Sequence, residues 1–297
     1  MTSNLRTPDA RFVGLPDYPF GPHYNDNLPT EPGLRMHYLD EGPRDAAKVF
    51  LCLHGQPTWS YLYRRMIPVF VASGHRVVAP DLAGFGRSDK PADDARYTFD
   101  FHRGLLHDLV LNLDLRNIVL VVQDWGGLLG LTLPMLDPAR YVGLLAMNTA
   151  FATGDMPLGQ GFLDWRAYNN RNPDLPVGKL LARSCPHLTP ADAAAYDAPY
   201  PDGSFKGGVR RFPNLVPDHP DAPGAARSRE ARAWFREQWQ GRSFVAIGMQ
   251  DPVLGPPAMR YLATQIRGCP PPLEVADGGH FLQEWGAPVA RAASCAL

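Results

Sequence analysis

The sequence lacks several features that mark whole classes of protein. It has no excess of charge of one sign, since 29 Lys and Arg face 30 Asp and Glu, for a formal net charge of −1. A dedicated nucleic-acid-binding protein normally carries a basic excess. Apolar runs are short: residues 118–122 form one of the longest, far below the ~20 residues that a membrane-spanning helix needs. We therefore expect no nucleic-acid partner and no membrane insertion.

Cysteine is scarce and widely spaced. The four cysteines, Cys52, Cys185, Cys269 and Cys295, form no C-x-x-C pair of the kind that binds metal. We interpret them as reduced thiols of a cytoplasmic protein and expect no metal site. Residues 1–8 lack the apolar segment of a secretory signal peptide, so no leader is predicted.

Proline, by contrast, is abundant. The chain has 31 prolines, about twice the usual ~5%. Six lie in residues 1–32 and eleven in residues 151–233. Because proline fixes φ and removes a backbone donor, it favours irregular segments over sheet interiors. These two regions are therefore predicted to lie outside the main sheet.

Elsewhere, apolar runs alternate with helical patterns. Strands are predicted at residues 34–40, 49–53, 76–80, 118–122, 142–147, 244–248 and 273–275. Helices are predicted at residues 59–73, 99–113, 126–136 and 257–266, and from about residue 282. This alternation is typical of a mostly parallel sheet covered by helices on both faces.

The alternation breaks between residues 151 and 233, where only short helical pieces are predicted, at 161–169 and 190–196. We predict one α/β core, residues 1–150 and 234–297, with residues 151–233 inserted as a helical cap. A segment lying over the carboxyl ends of the strands would close a site there.

Residues 121–127 carry the most informative motif, because a predicted strand runs directly into a predicted helix. In α/β-hydrolases this turn is the nucleophile elbow, G-x-S-x-G. Here Asp124 stands in place of the serine, Gly126 and Gly127 follow it, and Val122 replaces the first glycine. An aspartate before a helix can also be a simple N-cap. The elbow context favours a nucleophile.

A carboxylate nucleophile restricts the chemistry. Its attack on an acyl carbon would give an anhydride, a poor intermediate, whereas attack on a saturated carbon that bears a leaving group gives an ordinary ester. Hydrolysis of that ester requires water, a general base and an oxyanion site. Asp124 is expected to be ionised and the base neutral in the resting enzyme, so activity should fall in acid.

His280 is the predicted base, because it follows the last strand between glycine and phenylalanine and matches the late histidine of the fold. Asp251, after the strand at 244–248, is the predicted acid that orients it. The other strand-end position holds Asn148, which carries no charge. Asp277 competes, but it lies three residues before His280 and fits a turn better. The backbone amides of Gln56 and Trp125 are predicted to form the oxyanion hole.

Together these motifs resemble the haloalkane dehalogenases. The resemblance covers nearly the whole chain and is carried by residues 54–64, 81–91, 122–127, 248–251 and 279–281. It is nearest the branch that holds the halide between two tryptophan N–H groups and places the acid after the late strand. For that branch it implies hydrolysis of short haloalkanes without any cofactor, with halide and water as the other small partners.

The resemblance also implies further site residues. Trp125 and Trp165 are implied as the halide donors, since an indole N–H is a donor on an apolar body. The implied substrate pocket is apolar and consists of Phe162, Leu128, Phe212, Pro213, Val216, Val253 and Leu254. Two residues depart from the branch: Leu128 replaces an aromatic side chain, and Gln56 replaces an acidic one.

Alternative functions remain open at this point. An epoxide hydrolase would use the same triad together with two cap tyrosines, for which Tyr168, Tyr196 and Tyr200 are available; Gln123, where such enzymes often have histidine, argues against it. A ligand-binding protein without catalysis would not need all three triad residues. A serine esterase is disfavoured because Ser60 and Ser88 lie away from the elbow. The oligomeric state is open, and a monomer is compatible with the near-zero charge.

Overall fold

The computed structural model describes residues 4–297. Of residues 1–8, for which no leader is predicted, residues 1–3 lie outside the described part of the chain. The main sheet has eight strands in the order β10-β9-β8-β7-β4-β5-β3-β2, and β1 pairs with β6 in a small separate ladder. The strands are β1 (Asn4–Leu5), β2 (His23–Asn25), β3 (Met36–Glu41), β4 (Val49–Leu53), β5 (Arg76–Pro80), β6 (Lys90–Pro91), β7 (Ile118–Gln123), β8 (Tyr141–Met147), β9 (Arg242–Gly248) and β10 (Leu273–Val275).

The centre of the sheet is parallel and fully buried. Strands β10, β9, β8, β7, β4 and β5 pair in parallel, while β3 and β2 pair antiparallel at the other edge. Every residue of β4 and β7 is buried, as expected for strands that are covered by helices on both faces. The predicted architecture, a mostly parallel central sheet flanked by helices, is confirmed.

Helices cover both faces of the sheet and form the inserted segment. They are α1 (Ile67–Ala72), α2 (Phe99–Asn112), α3 (Trp125–Gly130), α4 (Gln160–Arg171), α5 (Val177–Ser184), α6 (Pro190–Ala195), α7 (Gly207–Arg211), α8 (Ala225–Glu237), α9 (Pro256–Thr264) and α10 (Gly286–Ala296). Helices α4 to α7 fall within the predicted cap. Its predicted end at residue 233 lies inside α8.

Two predicted helices are shorter than the sequence pattern indicates, and proline accounts for both. The helix predicted at 59–73 is a 3-10 turn, Ser60–Tyr63, followed by α1, which begins at Ile67 with Pro68 in its first turn. The helix predicted at 126–136 ends at Gly130. Because Pro68 and Pro134 have no N–H, neither can donate to the carbonyl four residues earlier.

A buried network of charges joins the cap to the core. Arg64 binds both carboxylate oxygens of Glu284, at 2.6 and 3.0 Å, and donates to Asp192 of α6 at 3.2 Å. Tyr196 donates its hydroxyl to Glu284. The side chains of Arg64 and Glu284 are both 0% exposed, so this pair is closed to water. Arg65, which is partly exposed, lies 3.1 Å from the same Glu284 carboxylate.

Within residues 4–297, no helix combines the length and apolar character needed to cross a membrane.

Candidate active site

The candidate nucleophile lies on a strained turn at the end of the central strand β7. Asp124 has φ 48° and ψ −125°, a conformation that few non-glycine residues adopt, and α3 begins at the next residue. Gly126 makes the turn possible, because a Cβ there would come within 2.0 Å of the carbonyl oxygen of Leu53 on β4. The turn presents the Asp124 side chain at the carboxyl edge of the sheet.

The three predicted triad residues meet at this edge. His280 Nδ1 lies 2.9 Å from Asp251 Oδ2, and His280 Nε2 lies 3.6 Å from Asp124 Oδ2. The first distance is that of a hydrogen bond, while the second is longer than a hydrogen bond. The imidazole is therefore held by one carboxylate and faces the other.

The two candidate acids, Asp251 and Asp277, differ in burial and in their contacts with His280. Asp251 is fully buried and accepts hydrogen bonds from His280, from the backbone N of Val253 at 2.7 Å and from Asn148 Nδ2 at 2.9 Å. Asp277 is exposed. Burial alone would raise the pKa of Asp251, but the charge and hydrogen bond of His280 lower it below its usual value. Asp251 is therefore an ionised partner for His280.

Two carboxylates raise the proton affinity of His280. Burial lowers its pKa, but the charge and hydrogen bond of Asp251 and the nearby carboxylate of Asp124 outweigh burial and raise the pKa to about 10. While Asp124 carries its charge, the surroundings therefore favour the protonated imidazole. The contribution of Asp124 depends on its negative charge.

The loop after β4 supplies one of the predicted oxyanion donors. The backbone N of Gln56 donates to Asp124 Oδ1 at 2.8 Å. Its side chain is buried and donates to the Val209 carbonyl of α7 at 3.0 Å, with Asn169 Oδ1 of α4 at 3.5 Å. Gln56 therefore links the nucleophile's loop to the cap.

Two polar residues of the site have no predicted role. Gln123, at the end of β7, lies with its Nε2 3.1 Å from His280 Nε2 and 3.1 Å from the His280 carbonyl oxygen. Asn148, at the end of β8, binds Asp251 as described above. Both stand at carboxyl ends of central strands, which is the sequence signal that could have identified them.

Two cavities flank the triad. The nucleophile cavity, about 470 Å³, is lined by Asp124 and Trp125 among mostly apolar residues. The base cavity, about 580 Å³, is lined by His280 and Trp165 and carries more polar groups. Three residues line both cavities: Gly161, Pro252 and Val253.

The two predicted halide donors line different cavities. Trp125 is buried and packs on Phe212, with ring centroids 4.8 Å apart, while Trp165 on α4 is half-buried. Among residues 4–297, neither indole N–H has a protein acceptor, whereas those of Trp59 and Trp239 donate to Ala195 and Ser243. Both predicted donors are thus available, but they do not share one cavity.

Most of the predicted pocket residues line the nucleophile cavity: Leu128, Phe162, Val216, Val253 and Leu254. Phe212 and Pro213 line neither cavity and are buried. Phe212 packs edge-on against Trp125 instead, because it sits among the rings of Phe85 and His102, at 4.8 and 4.6 Å. It therefore supports a predicted site residue rather than facing the cavity.

The cap tyrosines that an epoxide hydrolase would need are mostly engaged elsewhere. Tyr196 donates to Glu284, and Tyr200 donates to the Pro57 carbonyl oxygen at 3.3 Å. Tyr168 alone of the three lines the base cavity. Because two hydroxyl donors are required at one oxygen, this arrangement disfavours epoxide opening. In the described part of the chain, no three His, Cys, Asp or Glu side chains cluster as metal ligands.

Comparison with known proteins agrees with this fold. Residues 48–287 match the family described as the alpha/beta hydrolase fold, which makes the chain an α/β-hydrolase. The chain is 46% identical over 287 residues to a haloalkane dehalogenase of Psychrobacter cryohalolentis, covering 94% of this chain and 93% of that one. It is 44% identical to a haloalkane dehalogenase of Mycobacterium marinum, covering 96% of both chains.

A solved structure extends the agreement to three dimensions. The tetrameric haloalkane dehalogenase DpaA from Paraglaciecola agarilytica NO2 matches with a TM-score of 0.97 and 50% identity, over 99% of each chain. The chain therefore belongs to the haloalkane dehalogenase family.

Proposed function

We propose that this protein hydrolyses short haloalkanes to alcohol and halide, with Asp124 as nucleophile. The observation that carries the proposal is a carboxylate, rather than a hydroxyl, on the elbow, facing a histidine across 3.6 Å and lining a mostly apolar cavity. Membership of the haloalkane dehalogenase family supports the same chemistry. The net reaction consumes one haloalkane and one water and yields an alcohol, a halide ion and a proton.

In the first step, a carboxylate oxygen of Asp124 attacks the carbon that bears the halogen. The C–O bond forms as the carbon–halogen bond breaks, and the halide leaves with the electron pair. We assign Trp125 and Trp165 as donors to the departing halide, supported by the unengaged N–H groups of both indoles. Because they line adjoining cavities, this assignment requires Trp165 to reach the halide past the shared wall at Gly161 and Val253.

In the second step, water hydrolyses the ester. Esterification removes the negative charge of Asp124, and with it two of the contributions that raise the pKa of His280. The imidazole then loses its proton and can take one from water at Nε2, while the water oxygen bonds to Cγ of Asp124. The amides of Gln56 and Trp125 stabilise the oxyanion. Collapse breaks the ester C–O bond, and the alkoxide takes the proton of the new Asp124 carboxyl group and leaves as the alcohol. Asp124 is again a carboxylate beside a protonated His280, and the one proton released earlier to solvent is the proton of the net reaction.

The direct test is halide release from 1,2-dibromoethane and 1-bromobutane, measured beside diol formation from styrene oxide. We expect halide from at least one alkane and no diol. Diol without halide would contradict the proposal and favour an epoxide hydrolase.

A trapping experiment tests the covalent intermediate. His280→Gln removes the base but leaves the nucleophile, so the enzyme should release one equivalent of halide and then stop. Mass spectrometry should find the alkyl group on Asp124. An adduct on another residue, or none after halide release, would contradict the assignment of the nucleophile.

A spectroscopic test addresses the halide donors. Bromide quenching of tryptophan fluorescence should weaken several-fold in Trp165→Phe, because one of two indole donors is lost. Trp234→Phe, at a half-buried tryptophan that lines neither cavity, is the matched control. Equal quenching in wild type and Trp165→Phe would place the second donor elsewhere.

We also propose that the protein acts in the cytoplasm. Its four cysteines are free, and two of them, Cys52 and Cys185, are buried. Reduced thiols are typical of that compartment. Cell fractionation followed by an activity assay tests this.

A further inference from the structure

Gln123 makes two contacts with the same histidine. Its Nε2 lies 3.1 Å from His280 Nε2 and 3.1 Å from the carbonyl oxygen of His280. The Gln123 side chain is fully buried, and its Oε1 has no hydrogen-bond partner within the described residues. A buried amide that leaves its oxygen unsatisfied in order to contact one histidine twice requires an explanation.

The carbonyl of His280 determines which way the amide of Gln123 points. A carbonyl oxygen only accepts, so it selects the NH2 group and disfavours the flipped arrangement, in which Oε1 would face another acceptor. The NH2 group therefore also faces His280 Nε2. A neutral Nε2 can accept from that group, whereas a protonated Nε2 would present its own N–H to a second donor. The contact thus favours the neutral imidazole.

The carboxylates around His280 act in the opposite direction. Asp251 and Asp124 contact its two nitrogens and stabilise the imidazolium. Asp164 and Arg183 from the cap, and Asp277 from its own loop, line the base cavity beside it. Gln123 is the neutral donor at Nε2, the atom that must take the proton from water.

We propose that Gln123 is a positioning residue that holds His280 neutral at Nε2 while the ester is hydrolysed. The inference rests on the proposed function, because it concerns the second step of that reaction. Before esterification, the charge of Asp124 opposes Gln123 and the imidazole keeps its proton. Once Asp124 is an ester, Asp251 is the one carboxylate still charged in contact with the ring, and the contact with Gln123 favours release of the Nε2 proton to solvent. The water then takes the place of the Gln123 amide at Nε2, donates a proton to that nitrogen and bonds through its oxygen to Cγ of Asp124.

Single-turnover kinetics with 1-bromobutane across pH separate the two steps. Gln123→Glu puts a carboxylate beside Nε2 and stabilises the imidazolium. We expect the acid limb of ester hydrolysis to move up by about one pH unit, with hydrolysis at pH 7 slowed about tenfold. The halide burst, which needs no base, should stay within about twofold.

Gln123→Leu provides a second variant that keeps the size and removes the donors. Its acid limb should move the same way by about half a pH unit, since the amide contact is lost without a new charge. Gln240→Glu, an exposed position, makes the same chemical change away from the site and should match wild type. The alkyl-enzyme should accumulate in both Gln123 variants and not in the control.

Two results would overturn the inference. One is an unmoved acid limb in both Gln123 variants; the other is an equal loss in the halide burst and in hydrolysis, which would indicate a general structural defect. A wild-type enzyme that releases no halide would contradict the proposed function alone. In that case NMR titration of His280 decides: a higher pKa in both variants supports the inference, and an unchanged pKa overturns it.

Discussion

This molecule has two clusters in which a basic side chain contacts carboxylates, and their geometry differs. At the junction of cap and core, Arg64 makes a two-pronged pair with Glu284, and neither side chain is exposed. At the carboxyl edge of the sheet, His280 bonds closely to Asp251 but stands 3.6 Å from Asp124, and the ring and the nucleophile are 14% and 16% exposed. One cluster is closed, and the other keeps one loose and accessible contact.

This difference separates a structural function of buried charge from a chemical one. Arg64 donates to two buried carboxylates, Glu284 and Asp192, which hold its guanidinium in one position. At the triad, esterification removes the charge of Asp124. Because the contact is long and the His280 ring is partly exposed, this does not leave a buried imidazolium without access to solvent. The energetic consequence is that mutations in the first cluster should act on stability, and those in the second on proton affinity.

The largest expected effect comes from breaking the closed cluster. Arg64→Met leaves the Glu284 carboxylate buried with Arg65 as its remaining cationic partner, so the free energy of unfolding should fall by about 3–5 kcal/mol. Urea denaturation measures this. Arg260→Met, which breaks an exposed pair with Glu274, is the matched control and should cost less than ~1 kcal/mol. Equal losses in the two variants would erase the contrast.

A smaller effect is expected at the open cluster. Asp124→Asn imitates the esterified enzyme by removing the charge but keeping the shape. The pKa of His280, about 10 in the resting enzyme, should fall by roughly one to two units, as NMR titration of the ring would show. The acid limb of the wild-type steady-state rate should then lie nearer the His280 pKa measured in Asp124→Asn than the His280 pKa measured in the resting wild type. A pKa that does not change would mean that esterification cannot release the proton.

The smallest effect concerns Gln56, which links the nucleophile to the cap. Gln56→Met removes the side-chain bond to Val209 but keeps the backbone donor to Asp124, so unfolding should become easier by about 1 kcal/mol. Gln240→Met on the surface is the control. If the two variants unfold alike, the side chain of Gln56 does not couple core and cap.

Much of the fold was accessible from the sequence. Apolar runs such as residues 49–53 coincide with buried parallel strands because both faces of those strands need apolar cover. Helix lengths were predicted less well where Pro68 and Pro134 remove donors. The gathering of Asp124, Asp251 and His280 followed from a simple rule, since parallel strands bring their carboxyl ends to one edge.

The details of the site were less accessible. The pairing of Arg64 with Glu284 joins residues 220 positions apart, and no local pattern encodes it. The contacts of Gln56 and Gln123 depend on where the cap and the last loop settle. The raised pKa of His280 also has no local sequence signal, because it depends on the net effect of burial and two carboxylates at distances that only the folded chain defines.

The strand order has a further consequence for how this protein loses activity on heating. Asp124 is carried by β7 inside the sheet, but His280 follows β10, a three-residue strand that is paired on one side only. Local opening begins preferentially at such an edge. Amide protons near β10 should therefore exchange with solvent before those of β7, and inactivation should precede the loss of bulk secondary structure. We therefore expect thermal inactivation to begin at this edge of the sheet.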